Sequence, residues 1–212
     1  MFFIRRALKL LCLSSVCWAS LPLAALELSD VAREGELRFL AVRPDPGAYH
    51  YQSKVTITPE SLTSGVVSLN TCHRALDPNS RIVIQFNPER VQDIRIAEFE
   101  GMAEARVEGH KVELRDVKRG ASICIDLRSR VLDEQGPDQW RLRAGPLMRR
   151  YLDGYLPMHA QLQVQWPEGL LRVVSQDPIN QDGAQLQTRS DGTNWQLTFA
   201  GRLNTHLVLQ RP

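Results

Sequence analysis

Cationic, aromatic and imidazole side chains are concentrated between residues 149 and 159. Arg can hold an anion through paired N–H groups, and Tyr can stack on a sugar or another ring. We interpret this segment as a candidate binding or partner surface. The alternative is a structural corner in which both tyrosines pack inward and Asp153 pairs locally with one of the arginines. The candidate binding residues are Arg149, Arg150, Tyr151, Tyr155 and His159.

His73 is a further candidate binding residue, because it directly follows a cysteine that is expected to be anchored in a disulfide. Asp77 lies four residues further on and could orient the imidazole. The alternative is an ordinary turn after a strand, in which Asp77, Pro78 and Asn79 supply the turn chemistry.

The spacing of the five histidines predicts no metal site. No two of them are two residues apart, the spacing that would place two ligands on one face of a strand. Met158 next to His159 suggests copper(I), since thioether and imidazole both bind it. Adjacent residues of a strand face opposite ways, however. The sequence also contains none of the usual catalytic or phosphate-binding motifs, so we predict no cofactor.

Cys72 and Cys124 are the two cysteines that follow the leader, so only one pairing is available to them. We predict a disulfide, with a free thiol pair as the alternative. Each cysteine alternates with polar neighbours along its strand. The bridge is therefore expected to tie neighbouring strands on an outer face, or a strand to an adjacent loop, and not to cross the core.

Residues 1–25 have the pattern of a secretory signal peptide. A basic start ending at Lys9 is followed by a mainly apolar run of nine residues from Leu10 to Trp18, which is too short to span a bilayer. We expect cleavage after Ala25, with cleavage after Ala19 as the alternative. The pattern predicts Sec-type export of a soluble protein to a bacterial periplasm, and the pair Arg5 and Arg6 leaves a twin-arginine route open.

Removal of this leader reverses the sign of the net charge. Three cations leave with it, so residues 26–212 carry 23 Lys and Arg against 24 Asp and Glu. A formal charge of −1 provides no general attraction for nucleic acid or anionic lipid. We therefore expect no nucleic-acid partner and no membrane-spanning segment after processing.

Apolar residues alternate with polar ones from Leu37 to the C-terminus, which is typical of half-buried strands. The clearest example is the run from Met158 to Trp166. Turn residues such as Glu108 to Lys111 and Asp191-Gly192 separate the runs. We predict an all-β fold, an antiparallel β-sandwich or a barrel-like variant of it, in one domain over residues 26–212.

One segment departs from this alternation. Pro146 suits the first position of a helix, and Gly154 suits the position just after its end. The sequence therefore predicts one short helix near 146–153, carrying the chain between sheets or closing one end of the sandwich.

These features together favour a non-catalytic binding or interaction module of the bacterial cell envelope, with an envelope protein or a glycan as partner. The polar row formed by Gln161, Gln163 and Gln165 is either a solvated sheet face or a surface for glycan or protein. The alternative function is a periplasmic hydrolase of glycans or phosphate esters that uses carboxylates or His73 in a cleft.

Overall fold

The computed structural model describes residues 31–42, 45, 47, 49–152 and 154–212. The proposed signal peptide and Asp153 lie outside the described residues. The described part forms eighteen strands and one helix: β1 Ala32–Arg33, β2 Leu37–Phe39, β3 His50–Thr56, α1 Pro59–Ser64, β4 Val66–Leu76, β5 Asn79–Gln85, β6 Val91–Glu100, β7 Glu104–Glu108, β8 Lys111–Val117, β9 Ala121–Arg130, β10 Leu132–Gly136, β11 Gln139–Leu147, β12 Arg149–Tyr151, β13 Gly154–Leu156, β14 Met158–Gln165, β15 Arg172–Asp177, β16 Ala184–Arg189, β17 Gly192–Gly201 and β18 Leu203–Gln210.

These strands form four sheets, and the sandwich prediction is confirmed. The largest sheet has eight strands in the order β16-β17-β14-β3-β4-β9-β6, with β2 also paired to β17. A four-stranded sheet (β10-β11-β18-β15) and two three-stranded sheets (β5-β8-β7 and β1-β13-β12) complete the fold. The pairing is antiparallel except between β3 and β14, which run parallel. A parallel pair needs a long crossover connection, and about a hundred residues separate these two strands.

The predicted alternation corresponds closely to the strands. Along β14 the residues Met158, Ala160, Leu162 and Val164 are buried while the intervening residues are half-buried. The predicted turn from Glu108 to Lys111 joins β7 to β8. The apolar faces of the eight-stranded sheet, the four-stranded sheet and the β5-β8-β7 sheet share one core. Its most deeply buried members include Trp195, Phe199, Leu197, Ile123, Ile125, Leu114, Leu207 and Leu209.

The two remaining cysteines lie opposite each other on the neighbouring strands β4 and β9. Their Cα atoms are 4.1 Å apart, and their sulfur atoms are at disulfide distance. Asn70 and Asp126 share their side of the sheet and form a hydrogen bond of 2.7 Å. The bridge therefore ties adjacent strands on the polar face, as the alternation predicts, although both cysteines are themselves buried.

The predicted helix near 146–153 is wrong. Leu147 ends β11, where it pairs with Leu203, and Arg149 to Tyr151 pair with Leu156 to Gly154 as a hairpin. An isolated helix of two turns is marginal, whereas pairing with β18 and β13 provides the backbone with hydrogen-bond partners from other strands. Gly154 does not end a helix. It allows β1 to approach closely, since a Cβ there would lie 2.5 Å from Val31 Cγ1.

The only helix in the described part of the chain is α1. Pro59 occupies its first turn, and the Thr58 N–H donates to Ser61 Oγ at 3.1 Å. Gly65 ends it with φ 73°, a conformation that favours glycine. No helix of the described residues is long and apolar enough to cross a membrane.

Candidate binding surface

The segment that carries most of the candidate binding residues is the β12–β13 hairpin. Arg150 lies opposite Tyr155 in its register, and β1 pairs with the outer side of β13. The hairpin therefore supplies two strands of a three-stranded sheet, with β13 at its centre and β12 at its edge, close to the connection between β4 and β5. Its side chains separate into an anchoring set and an exposed set.

Arg149 anchors the hairpin. Its side chain is only 13% exposed, and it forms an ion pair with Asp77 in the connection between β4 and β5. Its Nη1 donates to the Pro157 carbonyl at 3.1 Å, and its guanidinium lies 5.7 Å from the centre of the Tyr49 ring. A guanidinium at this distance from an aromatic ring is attracted by its π-electrons. These contacts join Arg149 to three other parts of the chain, and its side chain is mostly buried, so Arg149 has a structural role.

His73 is joined to the same cluster through Tyr49. The Tyr49 hydroxyl and His73 Nδ1 are 2.8 Å apart, and Tyr51 packs edge-on against the imidazole with ring centres 5.2 Å apart. His73 is 8% exposed, and its Nε2 has no hydrogen-bond partner among the described residues. Burial lowers the pKa of His73 from 6.5 to about 4, because the interior disfavours the charged ring. Asp77 does not orient this histidine, since it pairs with Arg149 instead.

The two tyrosines around His73 are residues that sequence reasoning did not identify as part of a site. Burial raises the pKa of both phenols. Tyr51 lies directly opposite His73 in the register of β3 and β4. The alternation of Tyr49 and Tyr51 with polar residues indicates a strand. The contact of both tyrosines with His73 depends on a register that the sequence alone does not specify.

The exposed set lies at the tip of the hairpin. Arg150 is exposed, Tyr151 is 58% exposed and Leu152 is 78% exposed, while Met148 at the base is also exposed. Leu152 adopts φ 49°, a left-handed conformation that is uncommon for a branched side chain. Tyr155, by contrast, is buried against Ala32 and Ala200.

His159 lies apart from this cluster. Its Nδ1 is 3.0 Å from Thr198 Oγ1 on the outer face of the eight-stranded sheet, whereas His73 lies on the inner face. Met158 is buried in the core, so the two adjacent side chains face opposite ways as predicted. The six candidate residues therefore do not converge on one surface. Arg149 and His73 are joined through Tyr49, and only Arg150 and Tyr151 are exposed together.

The chain matches no family model, and no curated protein matches it. Among solved structures it is similar to an M1 zinc metallopeptidase from Deinococcus radiodurans, at 15% sequence identity with a TM-score of 0.42 for one mutant and 0.39 for the enzyme without that mutation. These alignments cover 84% of this chain and 43% of the metallopeptidase chain, so the chain spans less than half the length of its structural neighbours. The similarity is weak and concerns the arrangement of strands alone.

The described ranges contain no group of three or more acidic, histidine or cysteine side chains that could hold a metal ion. His73 lies among Tyr49, Tyr51 and the apolar core.

Substitution of the two adjacent arginines is expected to change the free energy of unfolding by different amounts. Arg149→Ala should lower the free energy of unfolding by about 2 kcal/mol, because it removes a charged hydrogen bond and a contact with the Tyr49 ring. Arg150→Ala is the matched control and should change stability by less than about 0.5 kcal/mol, since the side chain is exposed. Urea unfolding of both variants measures the difference. Equal losses would contradict the anchoring role of Arg149.

Proposed function

We propose that the protein is an exported, periplasmic, non-catalytic binding module of the bacterial cell envelope, whose partner is an envelope protein or a glycan. The leader-like sequence of residues 1–25 and the cysteine pair support export to an oxidising compartment. We further propose that the tip of the β12–β13 hairpin, formed by Arg150, Tyr151 and Leu152, contacts an envelope protein.

The observation that carries this proposal is the contrast between the exposed tip and its buried anchors. Arg149 and Tyr155 hold the two strands of the hairpin, so the exposed residues extend from an anchored base. An ordered surface loses little conformational entropy on binding. Tyr and Arg are also enriched among the residues that contribute most to protein interfaces. Two large apolar side chains beside an arginine therefore suit a small protein contact.

The test is a double substitution at the tip, Tyr151→Ser with Leu152→Asn. Asn tolerates the positive φ of position 152 better than Leu, so the variant should fold normally. Cross-linking of the tagged protein in intact cells, followed by quantitative mass spectrometry, compares the recovery of each partner. We expect a specific envelope protein to be recovered with the wild-type chain and at least tenfold less with the variant.

Ile179→Ser is the matched control, because Ile179 is 69% exposed on the connection between β15 and β16 and is equally apolar. It should leave recovery of the partner unchanged. Thermal melting of each sample checks folding. Equal recovery with the wild-type chain and a folded tip variant would overturn the proposed contact.

A further inference from the structure

The outer face of the eight-stranded sheet carries an array of amide side chains. Residues paired in register point to the same side of a sheet, so the pairings place these side chains together across five adjacent strands. The alternate residues of the same strands, such as Leu162 and Leu197, are buried in the core. The array comprises Gln52, Asn70, Gln161, Gln163, Gln165, Gln185, Gln187, Asn194 and Gln196.

Hydrogen bonds connect part of this amide array across four strands. Arg74 Nε donates to Gln52 Oε1 at 2.9 Å, and Gln52 Nε2 donates to Gln161 Oε1 at 3.4 Å. Gln161 Nε2 in turn donates to Asn194 Oδ1 at 3.1 Å. Each primary amide has two N–H donors and two acceptor lone pairs, so both connected glutamines keep a donor and an acceptor available. Sugar hydroxyl groups, which donate and accept, match such a surface.

A shallow groove of about 440 Å³ adjoins the amide array over strands β3, β4, β9 and β6. Asp126 in this groove is already bonded, since it accepts from Asn70 and pairs with Arg95. Lys54 and Arg128 are exposed and form no ion pair with any described residue. Three cations and two carboxylates line the groove, so its formal charge is +1. Asp93 is the other carboxylate, and it lies opposite Arg128 in the register.

Lys54 connects the amide array to the groove. It lies between Gln163 on β14 and Asn70 on β4 in one cross-strand row. The hydroxyl groups of Thr56 and Ser68 lie in the next row, which continues through Arg128 to Asp93. An anionic group placed over these hydroxyls would lie between the Lys54 and Arg128 side chains. The rest of the ligand would extend over the amides.

We propose that this outer face binds a glycan that carries carboxylate groups. The amides of β14 and β3 hold the sugar hydroxyl or acetamido groups, and Lys54 and Arg128 hold a carboxylate above Thr56 and Ser68. A protein partner is less suited to this face, because the centre of a protein interface is enriched in aromatic and apolar side chains. The two cross-strand rows through Lys54 and Thr56 carry none among the described residues. The site is separate from the hairpin tip, and it rests on the proposed function, in which a glycan is one of the two partners.

The experiment measures binding of two carboxylate-bearing probes, oligogalacturonate and peptide-free glycan strands of bacterial cell wall, by isothermal titration calorimetry at low salt. Methyl-esterified oligogalacturonate is the neutral control ligand. We expect at least one acidic probe to bind. Methyl-esterified oligogalacturonate should bind at least tenfold more weakly than that probe. Lys54→Met and the double variant Gln161→Ala, Gln163→Ala should each weaken binding at least tenfold.

Lys118→Met and Gln135→Ala are matched controls, since they remove an exposed charge and an exposed amide elsewhere in the chain. Both should bind as the wild-type chain does. Failure of both acidic probes to bind would overturn the proposal. So would equal weakening by Lys118→Met and Lys54→Met, which would indicate a general charge effect. The hairpin-tip variant should keep full glycan binding, so failure of one site is distinguished from failure of the other.

Discussion

Replacing both Cys72 and Cys124 with Ala is expected to lower the free energy of unfolding by roughly 4 kcal/mol. The bridge closes a loop with a sequence separation of 52 residues, and closure of such a loop removes much of the conformational freedom of the unfolded chain. The two cysteines lie opposite each other in the middle of β4 and β9, so the native strand pairing brings them together. Urea unfolding of the two proteins measures the loss.

The control for the disulfide prediction is reduction of the wild-type chain. Dithiothreitol should destabilise the wild-type protein by about the same amount and leave the double variant unchanged. Two titratable thiols in the freshly purified, denatured wild-type protein would contradict the prediction directly. So would a double variant as stable as the wild-type chain.

The strands could be predicted from the sequence because their signal is local. Alternation of buried and half-buried residues along β14 requires only that one face of the strand meets a core. The Cys72 and Cys124 pairing could be predicted from a count, since only these two cysteines follow residue 25. The strands and the disulfide were therefore accessible without the fold.

The position of the helix shows the limit of such local signals. Pro59 and Gly65 flank α1, and Pro146 and Gly154 flank a segment that forms strands. Proline and glycine are therefore present at both places. Ser61 bonds back to Thr58 in the first segment, which favours a helix locally. In the second, pairing of β13 with β1 and β12 decides the conformation. That pairing is tertiary and cannot be read from the local pattern.

The cluster of side chains around Arg149 could be predicted only with knowledge of the strand register and of the parallel pairing. Its members Tyr49, His73, Asp77 and Arg149 come from three separate parts of the chain. The sequence identified His73 and Arg149 as polar residues of interest, but it provided no reason to place Tyr49 between them. The same limit applies to the amide array. The row of Gln161, Gln163 and Gln165 is visible in the sequence, whereas its continuation through Gln52 depends on the parallel pairing of β3 with β14.

Stability is expected to fall as the pH decreases from 6.5 towards 4, and His73 should account for a large part of the change. Burial holds the pKa of His73 at about 4, below the 6.5 of an exposed histidine, so the unfolded chain binds a proton that the folded chain excludes. The contribution of His73 is complete above pH 6.5 and is lost as the pH falls through the folded-state pKa. Between pH 7.5 and pH 4.5 it amounts to roughly 2 to 3 kcal/mol.

The variant His73→Asn separates this contribution from that of the carboxyl groups. Asn provides a polar atom near the position of Nδ1 for the Tyr49 hydroxyl but does not titrate in this range. Its absolute stability falls because the ring contact with Tyr51 is lost, so the pH dependence is the decisive quantity. Hydrogen bonding from Arg81 lowers the pKa of Glu113, which also weakens the fold in acid, but this effect is common to both proteins. Urea unfolding at pH 7.5 and 4.5 should show a loss smaller by roughly 2 to 3 kcal/mol in His73→Asn than in the wild-type chain. His110→Asn, on the turn between β7 and β8, should retain the wild-type dependence. Equal dependence in the wild-type chain and His73→Asn would show that His73 accepts a proton in the folded state as readily as in the unfolded chain, contrary to its buried position between Tyr49 and Tyr51.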